Sequence, residues 1–214
     1  MKLMVFDLDG TLLNTLPDLT DSVNYALQTL GLPTYTQAEV AQMVGSGMTV
    51  TLTRALGKQN LDYLAEAKKL QAEYYAEHCN DKTAPFDGVT DMLQTLAANG
   101  IAVAVYSNKD QPFAEATCAK QFGTLVPYVV GTGPDGVIKP DATRLLALTQ
   151  RIGADRCLYC GDSDVDVLTA RNADMPCVSV TWGYRTLKQL VESGATILCD
   201  TPEQVLQYAK KYFA

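Results

Sequence analysis

Asp7 and Asp9 stand two residues apart at the end of an apolar run, LMVF at 3–6, and are followed by Gly10 and Thr11. In an extended segment alternate side chains share a face, so the two carboxylates start on one side of the chain, about 7 Å apart. Such a pair repels itself unless a cation or a shared proton relieves it. Asp-Gly after a strand also reads as plain turn chemistry, and this stretch alone leaves both readings open.

Three further clusters follow apolar segments: Ser107-Asn108, Lys139-Pro140, and Gly161-Asp162-Ser163-Asp164-Val165-Asp166. Their carboxylates suit a hard cation such as Mg²⁺, which takes oxygen ligands and shares its shell with a substrate phosphate. Ser107, Asn108 and Lys139 suit the equatorial oxygens of a transferring phosphoryl group, where positioning and charge stabilisation supply most of the catalysis. A carboxylate can itself be the nucleophile. Asp7, nearest the strand end, is placed to attack, and Asp9 to protonate a leaving oxygen and later activate water.

These residues need elements that bring them together. Leu16, Leu19, Val23, Ala26, Leu27 and Leu30 predict a helix stopped by Gly31 and Pro33. Shorter helices follow at 36–44 and 48–56, split by Gly45-Ser46-Gly47, then a longer one at 61–79 with Tyr63, Leu64, Leu70 and Tyr74 toward its core. From 85 onward helices (89–99, 111–122, 141–151, 164–173, 186–193, 202–213) alternate with strands (101–106, 126–130, 157–160, 177–180, 196–198). Apolar strands alternating with helices imply a parallel sheet covered on both faces, with functional groups beyond its carboxyl edge. The fold expected is α/β: a Rossmann-like parallel sheet core of residues 1–13 and 83–214, with an all-helical cap, residues 14–82, inserted over that edge.

Composition narrows the classes. A hydrophobic fraction of 47% and a charged fraction of 19% are ordinary for a globular protein. A net charge of −7 argues against nucleic acid and membrane partners, which call for Lys and Arg. The amino terminus is too short and acidic for a secretory signal and no apolar run reaches the roughly 20 residues of a membrane span, so a cytoplasmic protein is expected. Six cysteines are scattered, and the one C-x-x-C, at 157–160, lacks the second pair a zinc site needs. They read as reduced and structural.

The set DLDGT at 7–11, SN at 107–108, KP at 139–140 and GDSDVD at 161–166 resembles, in order and over nearly the whole chain, the haloacid dehalogenase-like hydrolase superfamily. The resemblance implies Asp7 as nucleophile and Asp9 as acid/base. Thr11, Ser107, Asn108 and Lys139 are then on the substrate phosphate side, with the Thr11 hydroxyl steadying the turn. Mg²⁺ is held by Asp7, Asp162 and the main-chain carbonyl of Asp9, and Asp166 supports it directly or through water. Within the superfamily VGSGMTVTLTRAL at 44–56, FDGVTDML at 86–93, SNKDQPF at 107–113 and TWGYR at 181–185 look like phosphoglycolate phosphatases. Ala142 stands where such proteins often have a second proline, and Asp174 where they have a helix-ending glycine. Aspartate tolerates the left-handed conformation that a glycine there would adopt.

The implied activity is Mg²⁺-dependent hydrolysis of a small phosphomonoester through an aspartyl-phosphate, with 2-phosphoglycolate the first substrate to test. Alternatives are a phosphosugar or nucleotide phosphatase, a pyrophosphatase, a phosphoglucomutase-like phosphotransferase, or a binding module without turnover. Asp164 reads as a helix cap. His78 and Arg54 carry no assigned role. Gly45 to Gly47 reads equally as a turn or as a break that lets the cap reach substrate.

Overall fold

A computed structural model describes all residues, 1–214. The elements in chain order are β1 (Lys2–Phe6), β2 (Leu13–Asn14), α1 (Leu16–Thr29), α2 (Gln37–Met43), α3 (Met48–Leu56), α4 (Leu64–His78), β3 (Ala84–Pro85), α5 (Val89–Ala98), β4 (Ala102–Asp110), α6 (Gln111–Phe122), β5 (Tyr128–Thr132), α7 (Thr143–Ile152), β6 (Arg156–Gly161), α8 (Asp164–Asn172), β7 (Cys177–Val180), α9 (Leu187–Glu192), β8 (Ile197–Cys199) and α10 (Pro202–Phe213), with short 3-10 turns at Lys58–Tyr63 and Gly123–Leu125. Six strands form a parallel sheet in the order β5-β4-β1-β6-β7-β8. The chain leaves β1 toward β4 and β5, then crosses back to β6 on the other side. This places β1 at the point of reversal, where open α/β sheets gather ligands.

The alternation in β1 shows why the strand is apolar from Leu3 to Phe6. Met4 and Phe6 enter a core with Leu93 and Leu96 of α5, Ala114 and Cys118 of α6, and Val205 and Phe213 of α10. Leu3 and Val5 enter a smaller core on the opposite face with Leu145 and Leu148 of α7 and Ala170 of α8. Both faces are covered from Leu3 to Phe6, so polar residues stand only at the ends, Lys2 before the run and Asp7 after it.

The all-helical cap, α1 to α4, is inserted between β2 and β3. Val23, Leu27, Leu52, Leu56 and Ala67 form its own core, and Leu19, Val40, Val44, Tyr75 and Cys79 form a second cluster against which Phe113 and Tyr184 of the sheet domain pack. The strands β2 and β3 pair antiparallel as a neck, Leu13 with Pro85 and Asn14 with Ala84. Two residues are too few to show a sequence period, so neither strand is visible in the sequence. Buried Asp18 locks the returning chain beside them, accepting bonds from Lys82 N, Thr83 N and Thr83 Oγ1 at 2.7–3.1 Å.

Of the residues expected on the core side of α4, Leu64 packs against the cap core, but the rest of the stripe differs. Tyr63 lies in the preceding 3-10 turn, 44% exposed, and the buried stripe is Ala67, Gln71 and Tyr75. Gln71 is tolerated there because its Nε2 donates to Ser22 Oγ on α1 at 3.1 Å. Tyr74 instead stacks on Tyr25, ring centroids 4.6 Å apart. Asp174, φ 53°, is the one non-glycine residue with positive φ and ends α8 as the sequence suggests. No helix is long and apolar enough to cross a membrane, and all six cysteines are free.

Phe213, 1% exposed, plugs the larger core from the last helix. Phe213→Ala is expected to lower unfolding free energy by about 3–5 kcal/mol, read from the urea midpoint at unchanged m-value.

Candidate active site

The sheet ends deliver the four clusters to one place. Asp7 N donates to Cys160 O at 2.9 Å, so β1 holds its register into the first carboxylate. The chain then turns tightly: Gly10 N bonds Leu13 O, and the amides of Leu12 and Leu13 return to Leu8 O. Gly10 has φ +92° and its missing Cβ would lie 2.6 Å from Asp162 Oδ2, so both conformation and space require glycine. That close approach draws the turn after β1 onto the end of β6.

Carboxylate oxygens of Asp7, Asp162 and Asp166 all lie within 4.8 Å of one another, and all three residues are buried. Lys139 Nζ sits 2.7 Å from Asp7 Oδ1 and 2.7 Å from Asp166 Oδ1. The Asp7 contact is an ion pair without hydrogen-bond angles, which leaves Asp7 Oδ1 without a hydrogen-bond partner. Asp162 accepts from Thr11 Oγ1 at 2.9 Å and from Tyr184 N at 2.7 Å. Asp166 is saturated: Oδ1 takes Lys139 and the Tyr159 hydroxyl, Oδ2 takes the amide and hydroxyl of Ser163. Ser163 and Asp166 thereby form the capping box of α8, so Ser163, not Asp164, caps that helix. Asp164 faces Arg185 at 3.4 Å.

Burial and crowding set the charges. Burial, then Asp166, pushes Asp7 well above the usual carboxylate range against the pull of Lys139. Burial, then Asp166, lifts Asp162 to about 6 despite its two donors. For Lys139 burial opposes the charge, but Asp166 and Asp7 hold the ammonium above its usual range. Three carboxylates against one ammonium are a donor set of hard oxygens that a divalent cation fits.

Ser107 and Asn108 arrive from β4. Ser107 Oγ accepts from Lys109 N at 3.2 Å, which leaves its proton for another acceptor. Asn108 ties the loops, accepting from Lys139 N at 2.6 Å and donating to Lys139 O and Gly45 O. The Thr11 hydroxyl is committed to Asp162. Asp9 lies outside the carboxylate trio, 20% exposed in its side chain, and pairs with Lys109 Nζ at 3.1 Å.

Beneath the cap these groups open into a cavity of about 60 Å³ available to water centres, walled by Asp7, Asp9, Ser107 and Lys109 below and by Met48, Gln71 and Tyr75 above. Gly45 and Gly47 line it too, so the glycine break does bring the cap to the site. Arg54 instead caps α2 through Met43 O at 2.7 Å, and His78 pairs with Asp81 on the surface.

Sequence reasoning passed over Lys109, Tyr75, Tyr184 and Arg185. Lys109 could have been found: it follows Ser107 by two in an extended segment and shares its face, the argument already applied to Asp7 and Asp9. Arg185 is nearly buried and donates to Ala41 O at 2.8 Å and Val44 O at 2.6 Å, at the end of α2. Tyr184 bonds Thr15 N and Oγ1 through its hydroxyl. Both join core to cap across more than a hundred residues, which no local pattern reveals.

The haloacid dehalogenase-like hydrolase family model matches residues 4–180. A protein named phosphoglycolate phosphatase 1 in Pseudomonas aeruginosa is 33% identical over 217 residues, covering 97% of this chain and 79% of the relative. One named phosphoglycolate phosphatase in Yersinia pestis is 34% identical over 213 residues, covering 96% and 88%. A crystal structure from Lactobacillus delbrueckii subsp. bulgaricus superposes with a TM-score of 0.90 at 31% identity, over 97% of this chain and 98% of the other. With its sheet edge, its carboxylates and its cap in that arrangement, the chain belongs to the haloacid dehalogenase-like hydrolases and is a phosphatase similar to phosphoglycolate phosphatases.

Proposed function

We propose that this protein is a cytoplasmic, Mg²⁺-dependent phosphomonoesterase that works through an aspartyl-phosphate on Asp7, with 2-phosphoglycolate as its leading substrate. The observation that carries the reading is the meeting of Asp7, Ser107, Lys139 and Asp162 at one sheet edge, from four separate segments, beneath the cap. The relatives' name supports the substrate.

In this reading Asp7 attacks phosphorus in line, and Asp9 donates a proton to the ester oxygen that leaves. Asp9, now a carboxylate, then takes a proton from the water that attacks the phosphoryl-aspartate. Ser107 and Lys139 hold the equatorial oxygens, while Thr11 and Asn108 shape the phosphate site from its edges. Asp7, Asp162 and the main-chain carbonyl of Asp9 hold Mg²⁺, with Asp166 as its support. The ion supplies positive charge that offsets the crowded carboxylates and the phosphate. Residues 14–82 act as the cap that excludes water, and residues 1–13 and 83–214 as the catalytic core. The six free cysteines fit a reducing compartment.

A screen of some tens of phosphoesters with Mg²⁺, including sugar phosphates, nucleotides and pyrophosphate, is expected to show phosphate release led by 2-phosphoglycolate. Asp7→Asn should lose at least about a thousandfold in kcat/KM. Undiminished activity in that variant, transfer to sugar without release, or binding without turnover would each displace the proposal.

The Asp162 carboxyl gives a pH signature. Its folded pKa is raised from 3.8 to about 6, so the stability it contributes is present below the unfolded value and is lost as pH rises through about 6. Metal-free protein therefore carries its greatest charge conflict at neutral pH, where a cation relieves most. Scanning calorimetry should show Mg²⁺ raising Tm at pH 7.5 and much less at pH 5, where protons compete for the same oxygens. An equal rise at both values, or none at pH 7.5, contradicts the assignment.

A further inference from the structure

Lys109 is the one cation among the residues lining the cavity. Its side chain is 4% exposed, and its ammonium meets Asp9 Oδ1 at 3.1 Å and the Tyr75 hydroxyl at 2.5 Å. An ammonium has three donors, so one remains. The other polar side chains of the upper wall are turned away from any occupant: Gln71 donates to Ser22, Thr51 to main-chain carbonyls of Met43 and Gly47, and the Tyr184 hydroxyl meets Thr15. Leu19, Val44, Met48 and Phe113 fill the space between them. The upper wall thus offers few donors or acceptors for a row of hydroxyls, and the one ammonium, paired with Asp9 on the core side, keeps a single donor for an occupant.

Distance fixes where that charge falls on a substrate. Asp9 is the group that reaches the ester oxygen in the proposed reaction, and Lys109 is in hydrogen-bond contact with Asp9. A substrate group that meets the ammonium therefore sits only one or two carbons beyond the ester oxygen.

We propose that Lys109, presented by Tyr75 of the cap, determines specificity by binding an anionic group one or two carbons from the ester oxygen, so that the substrates are phosphomonoesters of short 2- or 3-hydroxy acids. This rests on the phosphatase reading above and adds the residue that reads the acid. Because Lys109 already spans the core carboxylate Asp9 and the cap hydroxyl of Tyr75, the tail is read where the two parts of the molecule meet. Polyhydroxy tails are refused by lack of partners, and neutral tails leave the remaining ammonium donor unpaired.

The test compares kcat/KM for 2-phosphoglycolate and for 2-hydroxyethyl phosphate, which match in length but differ in charge, with Mg²⁺ present. The wild-type protein should prefer the acid by at least about tenfold, K109Q should lose most of that preference, and K109R should keep the larger part of it. The ratio cancels any effect of Lys109 on Asp9, which acts on both substrates alike. Equal wild-type rates on the two esters, or K109Q lowering both in the same proportion, overturns the inference while leaving the phosphatase reading intact. Activity confined to sugar phosphates overturns both the inference and the 2-phosphoglycolate assignment, and no release from any ester removes the function itself. The wild-type comparison needs no variant and decides the question even where K109Q fails to fold.

Discussion

Three buried carboxylates share one ammonium, and the rest of the molecule is arranged around that imbalance. Lys139 bridges Asp7 and Asp166, while Asp162 has no cation of its own. Burying charge without full compensation costs several kcal/mol per ion after relaxation, so donors are drawn in from wherever the fold can supply them. Thr11 comes from the first turn, Tyr159 from β6, Ser163 from the start of α8 and the Tyr184 amide from the loop after β7. An approaching phosphate adds negative charge to an edge already in excess. Substrate and cation are therefore complementary partners of one site, and the buried lysine alone cannot serve both.

Much of the architecture was legible because its strands are covered on two faces. β1, β4 and β6 read as uninterrupted apolar runs, and the polar residue that ends each run is the residue the edge uses. The alternation of such strands with helices fixed the sheet class, and the helical stretch between β1 and β4 marked the cap. What was illegible is short or depends on tertiary approach. The two-residue strands of the neck have no period to read. The buried stripe of α4 passes through Gln71, a residue that polarity assigns to solvent and that Ser22 on a neighbouring helix makes tolerable.

The site divides in the same way. Most of its floor lies on strand ends, so residue types after apolar runs named Asp7, Ser107 and Asp162 directly, and Lys139 in the loop beyond β5 with them. Its roof depends on which turn of α4 faces inward and where the loop at Tyr184 crosses the cap, and both are set by packing between segments far apart in sequence. Asp164 shows the limit of local chemistry: its type suits a helix cap, yet Ser163 one residue earlier has the extended backbone a cap requires, with φ −131° and ψ 163°.

Three of the bonds by which the core holds the cap fall on main-chain carbonyls. Arg185 holds Ala41 O and Val44 O, and Asn108 holds Gly45 O. Those three bonds do not depend on which side chains residues 41, 44 and 45 carry, provided the backbone ends its helix in the same place and residue 45 stays small beside the guanidinium, where a Cβ would come to 3.1 Å. Those bonds and the reading of the substrate tail thus fall on different segments, so the wall around Tyr75 can be rewritten for another tail while these bonds and the floor remain as they are.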